Sequence, residues 1–278
     1  NLMHPIYKKL QKIVRDAKSD KLDSLTTRIL LKEYLQTHIL SAIYSSPHGQ
    51  NLIFYGGTAL KKAYGLDRMS EDLDFTSGKK VDLNDFADTV SDYFKKLKFK
   101  NVDYKIQSGG KINRITFKFP ILNKLGLSPM ASEKLHLKVE ISHSSSGSGL
   151  DTKISMLQEN QISTVIKHYS LPVLMAGKIV ACLERVFKKG DTDILIKGRD
   201  FYDLIWYMSK EVLPDKKRLK HSGYTPTIIW PALDKKIKPI TSKDLIADLR
   251  PFFTSINYTK TWCKNFHSLY SRYRQFYD

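Results

Sequence analysis

Cysteine is scarce in this chain of 278 residues, which contains only Cys182 and Cys263. Neither belongs to a C-x-x-C pair, which argues against a zinc site. Cys182 falls in an apolar helical pattern and Cys263 in an aromatic one. The sequence therefore predicts two buried structural thiols in a reducing, cytoplasmic setting.

Long apolar runs are missing as well. No stretch of about 18 apolar residues occurs, so we expect no membrane-spanning helix. The N-terminal stretch NLMHPIYKKL lacks the apolar segment of a secretion signal. Hydrophobic residues nevertheless make up 41% of the chain and charged residues 27%, which is ordinary for a globular protein with a buried core.

Acidic side chains are few relative to basic ones. The chain has 28 Asp and Glu against 46 Lys and Arg, so its formal net charge at pH 7 is +18. A positive field of this size concentrates polyanions near the surface and speeds their capture. It favours a nucleic acid, a nucleotide or an acidic protein as partner. A lysine-rich composition that only aids solubility explains the same charge, and charge alone does not distinguish these interpretations.

The first half of the chain alternates helical and strand patterns. Apolar periodicity predicts a helix over residues 22–46 and a short strand over 51–55. The strand ends at Gly56 and Gly57, and the two-turn helix that follows is predicted to close at Gly65. This part of the sequence therefore predicts a strand–turn–helix unit.

Further strands and one helix complete the predicted α/β domain. The second strand is DLDFTS, the next helix is DLNDFADTVSDYFKKL, and SSSGSG at 144–149 is predicted to be a polar loop. Three β-type runs lie between that helix and the loop: DYKIQS, NRITFKFPIL and LHLKVEISH. The turn signal GGKI joins the first two. This order predicts that residues 1–167 form N-terminal helices followed by a mixed α/β domain.

Strand signals fade after about residue 168, and residues 168–278 are predicted to form a helical C-terminal lobe. Its predicted helices are LPVLMAGKIVACLERVF, GRDFYDLIWYMSK, TSKDLIADLRPFF and TKTWCKNFHSLYSRYRQFY. An aromatic stripe follows helical spacing in the last of these, and we expect it to pack in a core rather than to stack on bases. The stripe consists of Tyr258, Trp262, Phe266, Tyr270, Tyr273 and Tyr277.

A basic segment lies within the same lobe. Residues 210–243 hold nine Lys and Arg against three acids. The phosphates of a folded RNA could lie there, and an ordinary solvated surface is the alternative. The basic residues are Lys210, Lys216, Lys217, Arg218, Lys220, Lys235, Lys236, Lys238 and Lys243.

Two carboxylates stand one residue apart in DLDFTS. On a strand, residues i and i+2 point to the same face, so Asp72 and Asp74 are expected to project together. Leu73 and Phe75 would then anchor the strand in the core. Two carboxylates, together with phosphate oxygens and water, are the ligands that Mg²⁺ takes. A solvated or salt-bridged strand end is the structural alternative.

The turn at Gly56, Gly57 and Thr58 suits a phosphate. A strand that ends in two glycines and enters a helix exposes backbone N–H groups at the helix N-terminus, which bind anions. Thr58 is expected either to cap this helix or to donate its hydroxyl to a phosphate oxygen. Because the two-turn helix returns the chain, the glycine turn and the carboxylates are predicted to share one edge. That combination is what nucleotidyl transfer needs.

The stretch GGTALKKAYGLDRMSEDLDF carries a family resemblance. Gly-Gly-Thr, thirteen residues and then Asp-Leu-Asp-Phe resemble the signature of the DNA-polymerase-β-type nucleotidyltransferase superfamily. Within it, the stretch is similar to the abortive-infection toxins of the AbiEii/AbiGii (MenT-like) type, which carry Arg-x-Ser-x-Asp-Leu-Asp-Phe. Those positions are Arg68, Ser70, Asp72 and Asp74 in this chain.

The family also has a later lysine followed by an Arg-Asp-x-x-Asp-Leu helix. MAGKIVACLERVFKKGDTDILIKGRDFYDL matches this pattern with Lys178, Arg199, Asp200 and Asp203. The resemblance reaches from about residue 52 to residue 204, with long unmatched stretches between the motifs. It implies an α/β (α+β) fold in which a polymerase-β-type domain with a mixed sheet precedes a helical lobe.

The resemblance also implies site residues. Asp72 and Asp74 would bind Mg²⁺ or Mn²⁺, and a third carboxylate on a later strand, Glu140, would join them as a ligand or general base. Lys178 would neutralise the triphosphate, and Asp200, favoured over Asp203, would partner that lysine or orient the nucleotide. A helix N-terminal role for Asp200 and an i, i+4 pair between Asp203 and Arg199 are the structural alternatives.

Further nucleotide contacts are implied around the glycine turn and the downstream helix. Arg68 would reach a phosphate or the carboxylates. The hydroxyl of Ser70 would face the metal if the strand begins early enough for Ser70 to share the face of the two aspartates. The residues expected to bind the nucleotide are Gly56, Gly57, Thr58, Arg68, Ser70, Lys178 and Arg199.

The activity that the resemblance implies is that of a toxin of a toxin–antitoxin or abortive-infection system. It would transfer NMP from an NTP to an RNA acceptor, the 3′ end of a tRNA above all, and so block translation, with an antitoxin protein as a further partner. Two alternatives are a small-molecule, antibiotic-type nucleotidyltransferase, which the basic charge disfavours, and a catalytically inactive RNA- or protein-binding module, which the intact Gly57, Asp72 and Asp74 disfavour.

Overall fold

A computed structural model of the chain describes residues 5–143, 149–185 and 197–278. The chain divides into two compact units, Asn1–His168 and Tyr169–Asp278. The boundary inferred from the sequence stands one residue earlier. Most of the polar loop predicted at 144–149 and the last two residues of the helix predicted through Phe187 lie outside the described residues.

The first unit is built on one seven-stranded mixed sheet with the strand order β3-β4-β5-β2-β1-β7-β6. The strands β1 to β5 are those that the sequence predicts. The seven strands are β1 (Leu52–Tyr55), β2 (Leu73–Ser77), β3 (Asp103–Gln107), β4 (Ile112–Phe119), β5 (Leu135–His143), β6 (Thr152–Glu159) and β7 (Ile162–Tyr169).

Four α-helices accompany this sheet in the part of the first unit that the structure describes, and local sequence explains their ends. The carboxylate of Asp23 accepts a hydrogen bond from the backbone N–H of Thr26 at the start of the second helix, and Asp82 caps the fourth helix in the same way. Gly65 adopts the left-handed conformation that ends the third helix, as predicted. The helices are α1 (Pro5–Ser19), α2 (Ser24–Tyr44), α3 (Gly56–Tyr64) and α4 (Leu83–Lys96), with a 3₁₀ turn at Pro47–Gln50.

Alternation along β4 and β5 separates a core face of the sheet from a polar face. Phe117 and Leu137 are fully buried and oppose each other in register. Phe94 of α4 packs edge-on against Phe119 of β4, with ring centroids 5.2 Å apart. Burial of each such side chain contributes about 1.5–3 kcal/mol. The side chains between them, including Lys138, point to the other face.

Strand pairing places the Asp72–Asp74 segment in the middle of the sheet. β2 pairs antiparallel with β1, with Tyr55 opposite Asp74. It pairs parallel with β5, with Asp74 opposite Glu140. The end of β1, where the glycine turn begins, therefore lies beside Asp74, as the sequence predicted.

The hairpin of β6 and β7 was not predicted. Its two strands are joined by Asn160 and Gln161, whose φ angles are +53° and +64°. Two consecutive residues with positive φ form the tight turn whose twist matches paired strands. The signal was present as two β-type runs separated by two residues, but Gln is an unusual residue at such a turn.

Six α-helices form the described part of the second unit, and four of them were predicted. The helices that the sequence did not reveal, the seventh and eighth, lie in the basic segment 210–243. Pro172 occupies the first turn of α5, where proline is tolerated. The helices are α5 (Leu171–Glu184), α6 (Gly198–Met208), α7 (Lys216–His221), α8 (Pro226–Ile237), α9 (Ser242–Leu249) and α10 (Ile256–Arg274), with 3₁₀ turns at Arg250–Phe252 and Gln275–Tyr277.

The aromatic stripe of α10 is a packing face, as predicted. Phe266 is buried against Phe201, with ring centroids 6.2 Å apart. The ring of Trp262 lies 4.6 Å from that of Tyr202. Both cysteines are buried free thiols, which confirms that prediction. None of the described helices combines the length and the apolar character needed to cross a membrane.

Candidate active site

Gly56 begins α3 directly after β1, and its conformation excludes other residues. Its φ angle is +79°, in the left-handed region that costs an L-residue about 1–2 kcal/mol. A Cβ atom on this residue would lie 2.3 Å from Oδ2 of Asp74. The backbone of the turn and the carboxylate of the dyad are therefore in direct contact, and only glycine allows it.

Gly57 is constrained by a buried arginine. A Cβ atom at this position would lie 2.4 Å from Nη2 of Arg68. Arg68 is only 3% exposed, and its Nη1 donates to the carbonyl oxygen of Met69 at 2.8 Å. Its guanidinium group thus lies against the N-terminal turn of α3. A fixed positive charge at this place adds to the favourable helix dipole and makes the turn attractive to an anion.

Thr58 uses its hydroxyl inside the protein. Its Oγ1 lies 2.7 Å from Oγ of Ser70 and is also hydrogen-bonded to the carbonyl oxygen of Asp72. The side chain is fully buried. Of the two roles expected for Thr58, the helix cap is excluded, because α3 begins at Gly56 and no side chain caps it. Any contact of this turn with a phosphate therefore falls to its backbone N–H groups.

Ser70 is held by two side chains of α2 that sequence analysis missed. Its backbone N–H donates to Oε1 of Glu33 at 3.0 Å, and its carbonyl oxygen accepts from Nε2 of Gln36 at 3.0 Å. Since β2 begins only at Leu73, Ser70 lies before the strand, and its hydroxyl turns toward Thr58. The predicted shared face of Ser70, Asp72 and Asp74 is therefore wrong for Ser70. Gln36 is a polar residue within an apolar helical pattern, and the structure buries it. That pattern was the only sequence signal for these contacts to Ser70.

Asp72 immediately precedes β2, one residue outside the strand in which it was predicted, and it is partly buried. Burial raises the pKa of its carboxyl group, and the negative charges of Glu71 and Glu140 raise it further, while Lys138 and Lys32 oppose the shift. A carboxylate that is destabilised by burial and by like charges is a group that a bound cation would stabilise.

Glu140 lies in register with Asp74 but already has a partner. Its Oε1 accepts from Nε and Nη2 of Arg114 at 2.8 and 2.6 Å. Arg114 comes from β4, which pairs antiparallel with β5 and places the two residues opposite each other. This arginine was not predicted, since nothing local in the sequence links it to Glu140.

The oxygen donors at the start of β2 are suitable for a hard divalent cation. Mg²⁺ binds through one or two protein carboxylates and completes its shell with phosphate oxygens and water. Asp72 and Asp74 supply that number. Within the residues that the structure describes, no group of three or more His, Cys, Asp or Glu side chains is arranged to hold a metal ion. The role of Glu140 as a third ligand stays a prediction.

The second unit holds the remaining predicted residues, and Lys178 joins two of them. Nζ of this lysine, on α5, lies 2.7 Å from Oδ1 of Asp200 and 2.8 Å from Oδ2 of Asp203, both on α6. All three side chains are largely buried, and that of Asp203 is completely so. The predicted pairing of Lys178 with Asp200 is therefore present. Asp203 is an equal partner, although Asp200 was favoured.

Arg185 adds a second cation to this cluster and was not predicted. Its Nη1 donates to Oδ2 of Asp200 at 3.0 Å. Burial alone would raise the pKa of Asp200, but Lys178 and Arg185 outweigh it and hold the pKa well below the usual range of aspartate. The i, i+7 spacing of Lys178 and Arg185 within the predicted helix was the available sequence signal.

Arg199 lies against other groups of the second unit. Its backbone N–H donates to Oδ2 of Asp248 at 3.0 Å, and its Nε lies 3.7 Å from the same oxygen. The guanidinium carbon stands 4.1 Å from the ring centroid of Phe252. Its predicted role in binding the nucleotide stays a prediction.

The strand–Gly-Gly–helix–strand unit with adjacent carboxylates places the chain in the nucleotidyltransferase class. The family described as "Nucleotidyl transferase AbiEii toxin, Type IV TA system" matches residues 38–257. The chain therefore belongs to the AbiEii family of nucleotidyltransferase toxins. This membership gives nucleotidyl transfer as the general activity and implies an NTP substrate and an antitoxin partner.

Solved structures of similar fold support the fold class. JHP933 from Helicobacter pylori has a TM-score of 0.54 and 17% identity, covering 89% of this chain and 92% of its own. MenT4, a nucleotidyltransferase toxin from Mycobacterium tuberculosis, has a TM-score of 0.53 and 13% identity, covering 96% and 92%. A search of the curated proteins found no significant match. The predicted α/β nucleotidyltransferase fold is confirmed.

Proposed function

We propose that this chain is a divalent-metal-dependent toxin that transfers NMP from an NTP to RNA, at the 3′ end of a tRNA, and thereby blocks translation. The observation that carries the proposal is the contact between the Gly56 backbone and the Asp74 carboxylate in a chain of this family. It joins a phosphate-binding turn to a metal-binding carboxylate.

The turn after β1 is assigned to the triphosphate. No side chain caps the first turn of α3, so its backbone N–H groups are suited to phosphate oxygens. Arg68 lies against Gly57 and supplies positive charge at the same place. We assign Lys178 and Arg199 of the second unit to the nucleotide on the resemblance alone.

Asp72 and Asp74 are the residues that would hold Mg²⁺ or Mn²⁺. When bound, such an ion neutralises phosphate charge and orients the triphosphate for in-line displacement. The glycine at position 56 lets the carboxylate of Asp74 stand next to the turn. Glu140, in register with Asp74, is the assigned acceptor of the proton that the attacking hydroxyl loses. The products are the extended acceptor and pyrophosphate.

The RNA acceptor is supported by charge. A formal net charge of +18 favours a polyanionic partner over a cationic small molecule such as an aminoglycoside. Toxicity through tRNA accounts for a block of translation, and an antitoxin encoded alongside would relieve it.

The proposal is tested by incubating the purified protein with total RNA, Mg²⁺ and each NTP labelled on the α-phosphate. We expect label on RNA of tRNA size with at least one NTP, and none with the γ-labelled form, because the γ-phosphate leaves with pyrophosphate. The isosteric Asp74→Asn variant is the matched control and should give no label.

Other outcomes contradict the proposal in distinct ways. Label on a small acceptor instead of RNA would indicate the antibiotic-type activity. Label from the γ-position would indicate phosphoryl transfer. If the folded protein transfers label to no acceptor in the presence of Mg²⁺, the remaining interpretation is a catalytically inactive binding module.

A further inference from the structure

The polar face of strands β3, β4 and β5 carries a cluster of basic side chains. This cluster, called here the basic sheet face, consists of Lys105, Arg114, Lys118, His136 and Lys138. The opposite side chains of the same strands, such as Phe117 and Val139, are fully buried in the core. The alternation of the strands thus presents the basic side chains together on one surface.

Strand register fixes the spacing of these cations. Lys105 of β3 stands opposite Thr116 of β4, which stands opposite Lys138 of β5. Lys118 lies two residues along β4 from Thr116, so it is a diagonal neighbour of both lysines, at about 7–8 Å between backbones. Three cations therefore form a triangle on one side of the sheet.

Two acids lie on this face: Glu140 pairs with Arg114, and Asp103, which stands opposite Lys118 in register, pairs with Lys134. The net positive charge of the face therefore comes from Lys105, Lys118 and Lys138. Lys105 and Lys138 are exposed and Lys118 is partly exposed. Among the residues that the structure describes, neither Lys105 nor Lys118 forms an ion pair. His136 is largely exposed, and its pKa is lowered first by partial desolvation of the ring and then by the positive charges of the surrounding lysines.

The basic sheet face continues into the candidate active site. Arg114 stands opposite Glu140, which stands opposite Asp74, so the same row of the sheet joins them. Lys138 is close enough to Asp72 to act on its charge. A strand of phosphates lying on the lysines would have one end beside the two aspartates.

We infer that the basic sheet face binds the phosphate backbone of the acceptor RNA and leads its end to Asp72 and Asp74. This inference rests on the proposed function for the identity of the acceptor as RNA. It assigns the acceptor to the first unit instead of the basic segment 210–243. The polar character of the face agrees with RNA, since a protein partner favours an apolar centre, and the outward side chains of β4 from Arg114 to Lys118 are all polar.

The test is the affinity of the protein for deacylated tRNA without NTP, measured by fluorescence anisotropy at several salt concentrations. Each phosphate contact contributes about 0.7–0.9 to the slope of log affinity against log salt. At 0.15 M salt, the loss of one contact therefore weakens the affinity by about four- to fivefold. For Lys105→Gln/Lys118→Gln we expect affinity about 15- to 30-fold weaker and a slope smaller by about 1.4–1.8. Lys105→Arg/Lys118→Arg should restore both.

Two control variants remove the same charge elsewhere. Lys95 and Lys96 lie exposed in the last turn of α4, a helix that packs on the core face of the sheet. Lys216 and Lys217 lie exposed in the segment 210–243. Both double Gln variants should bind tRNA within about twofold of the unchanged protein, a range that reflects only the lower net charge.

Several results would overturn the inference: unchanged binding in the sheet variant, an equal loss in the Lys95/Lys96 control, or a loss confined to the Lys216/Lys217 variant. If polyglutamate competes with tRNA as effectively as an RNA of equal charge, the partner would be an acidic protein, and the inference would also be overturned.

The outcome of this test is separate from that of the proposed function. tRNA bound on this face without nucleotidyl transfer contradicts only the proposed function, whereas transfer with unaltered binding in the sheet variant contradicts only this inference.

Discussion

The carboxylate of Asp74 occupies the space in which a side chain of residue 56 would begin, since a Cβ atom there would lie 2.3 Å from Oδ2. Gly56 is the first residue of the turn assigned to phosphate, and Asp74 lies on the neighbouring strand. The two groups are thus fixed relative to each other by backbone packing, and a change at either position is transmitted to the other.

Gly56→Ala is expected to abolish nucleotidyl transfer. Alanine at φ +79° costs about 1–2 kcal/mol of folding stability, and its Cβ would also displace the Asp74 carboxylate. We expect a destabilisation of about 2–4 kcal/mol in urea unfolding, together with loss of transfer activity under conditions in which the variant is folded.

Gly65→Ala is the matched control for that variant. Gly65 has nearly the same φ angle, +77°, but nothing lies within 4 Å of a Cβ built on it. It should lose about 1 kcal/mol from backbone strain and retain activity. Equal losses of activity in the two variants would show that the contact with Asp74 is unimportant and that strain alone is responsible.

The part of the site that the sequence predicted is the part built from local chain. About 25 residues contain the first strand, the glycine turn, the short helix and the returning strand. Helix and strand periodicity within this segment place Gly56, Gly57 and Asp74 beside one another. The error at Ser70 has a local cause, because β2 begins at Leu73 and the segment before it follows no strand alternation.

The missing parts of the site come from residues that are distant in sequence. Arg114 reaches Glu140 only through the register of β4 and β5, and Gln36 reaches Ser70 across 34 positions. Neither pairing follows from periodicity, because each depends on how whole elements pack. The β6–β7 hairpin was missed for another reason, since Asn160 and Gln161 are not among the residue pairs that commonly mark such a turn.

Asp72→Asn is expected to stabilise the protein at neutral pH and to inactivate it. Because burial raises the folded-state pKa of Asp72 above its ordinary value of 3.8, the folded protein binds this proton more tightly than the unfolded chain does. The unchanged protein therefore loses stability as the pH rises from about 3.8 through the folded pKa. Asparagine cannot ionise and avoids this loss.

The measurement for Asp72→Asn is the free energy of unfolding in urea between pH 3.5 and pH 8. The difference between the variant and the unchanged protein should be near zero at the acidic end and should grow toward neutral pH in favour of the variant. A variant that is less stable than the unchanged protein at pH 7.5 in a metal-free buffer would contradict the inferred burial of this charge.

Mg²⁺ should stabilise the unchanged protein through the same carboxylates. An ion that binds only the folded state at 100 times its Kd adds about 2.7 kcal/mol of stability. We expect a rise in Tm with MgCl₂ at pH 7.5 that shrinks at acidic pH, where Asp72 is protonated. Asp72→Asn and Asp74→Asn should both lose the rise, which NaCl of equal ionic strength should not reproduce.

Glu140→Gln tests the third carboxylate in the same experiment. Since Arg114 engages Glu140 in this structure, we expect the variant to keep most of the Mg²⁺-dependent rise in Tm. Loss of the rise to the extent seen in Asp74→Asn would instead make Glu140 a metal ligand.

Lys178→Met is expected to destabilise the second unit by about 3–5 kcal/mol, because it removes the cation that two buried carboxylates share. Asp200 also pairs with Arg185, and the side chain of Asp203 is completely buried, so we expect the larger part of the cost at Asp203. The double variant Lys178→Met/Asp203→Asn removes that buried charge and should recover at least half of the lost stability. Urea unfolding of the single and double variants, together with Asp203→Asn alone, completes a double-mutant cycle. A double variant no more stable than Lys178→Met would show that the lysine acts through packing of its side chain and not through its charge.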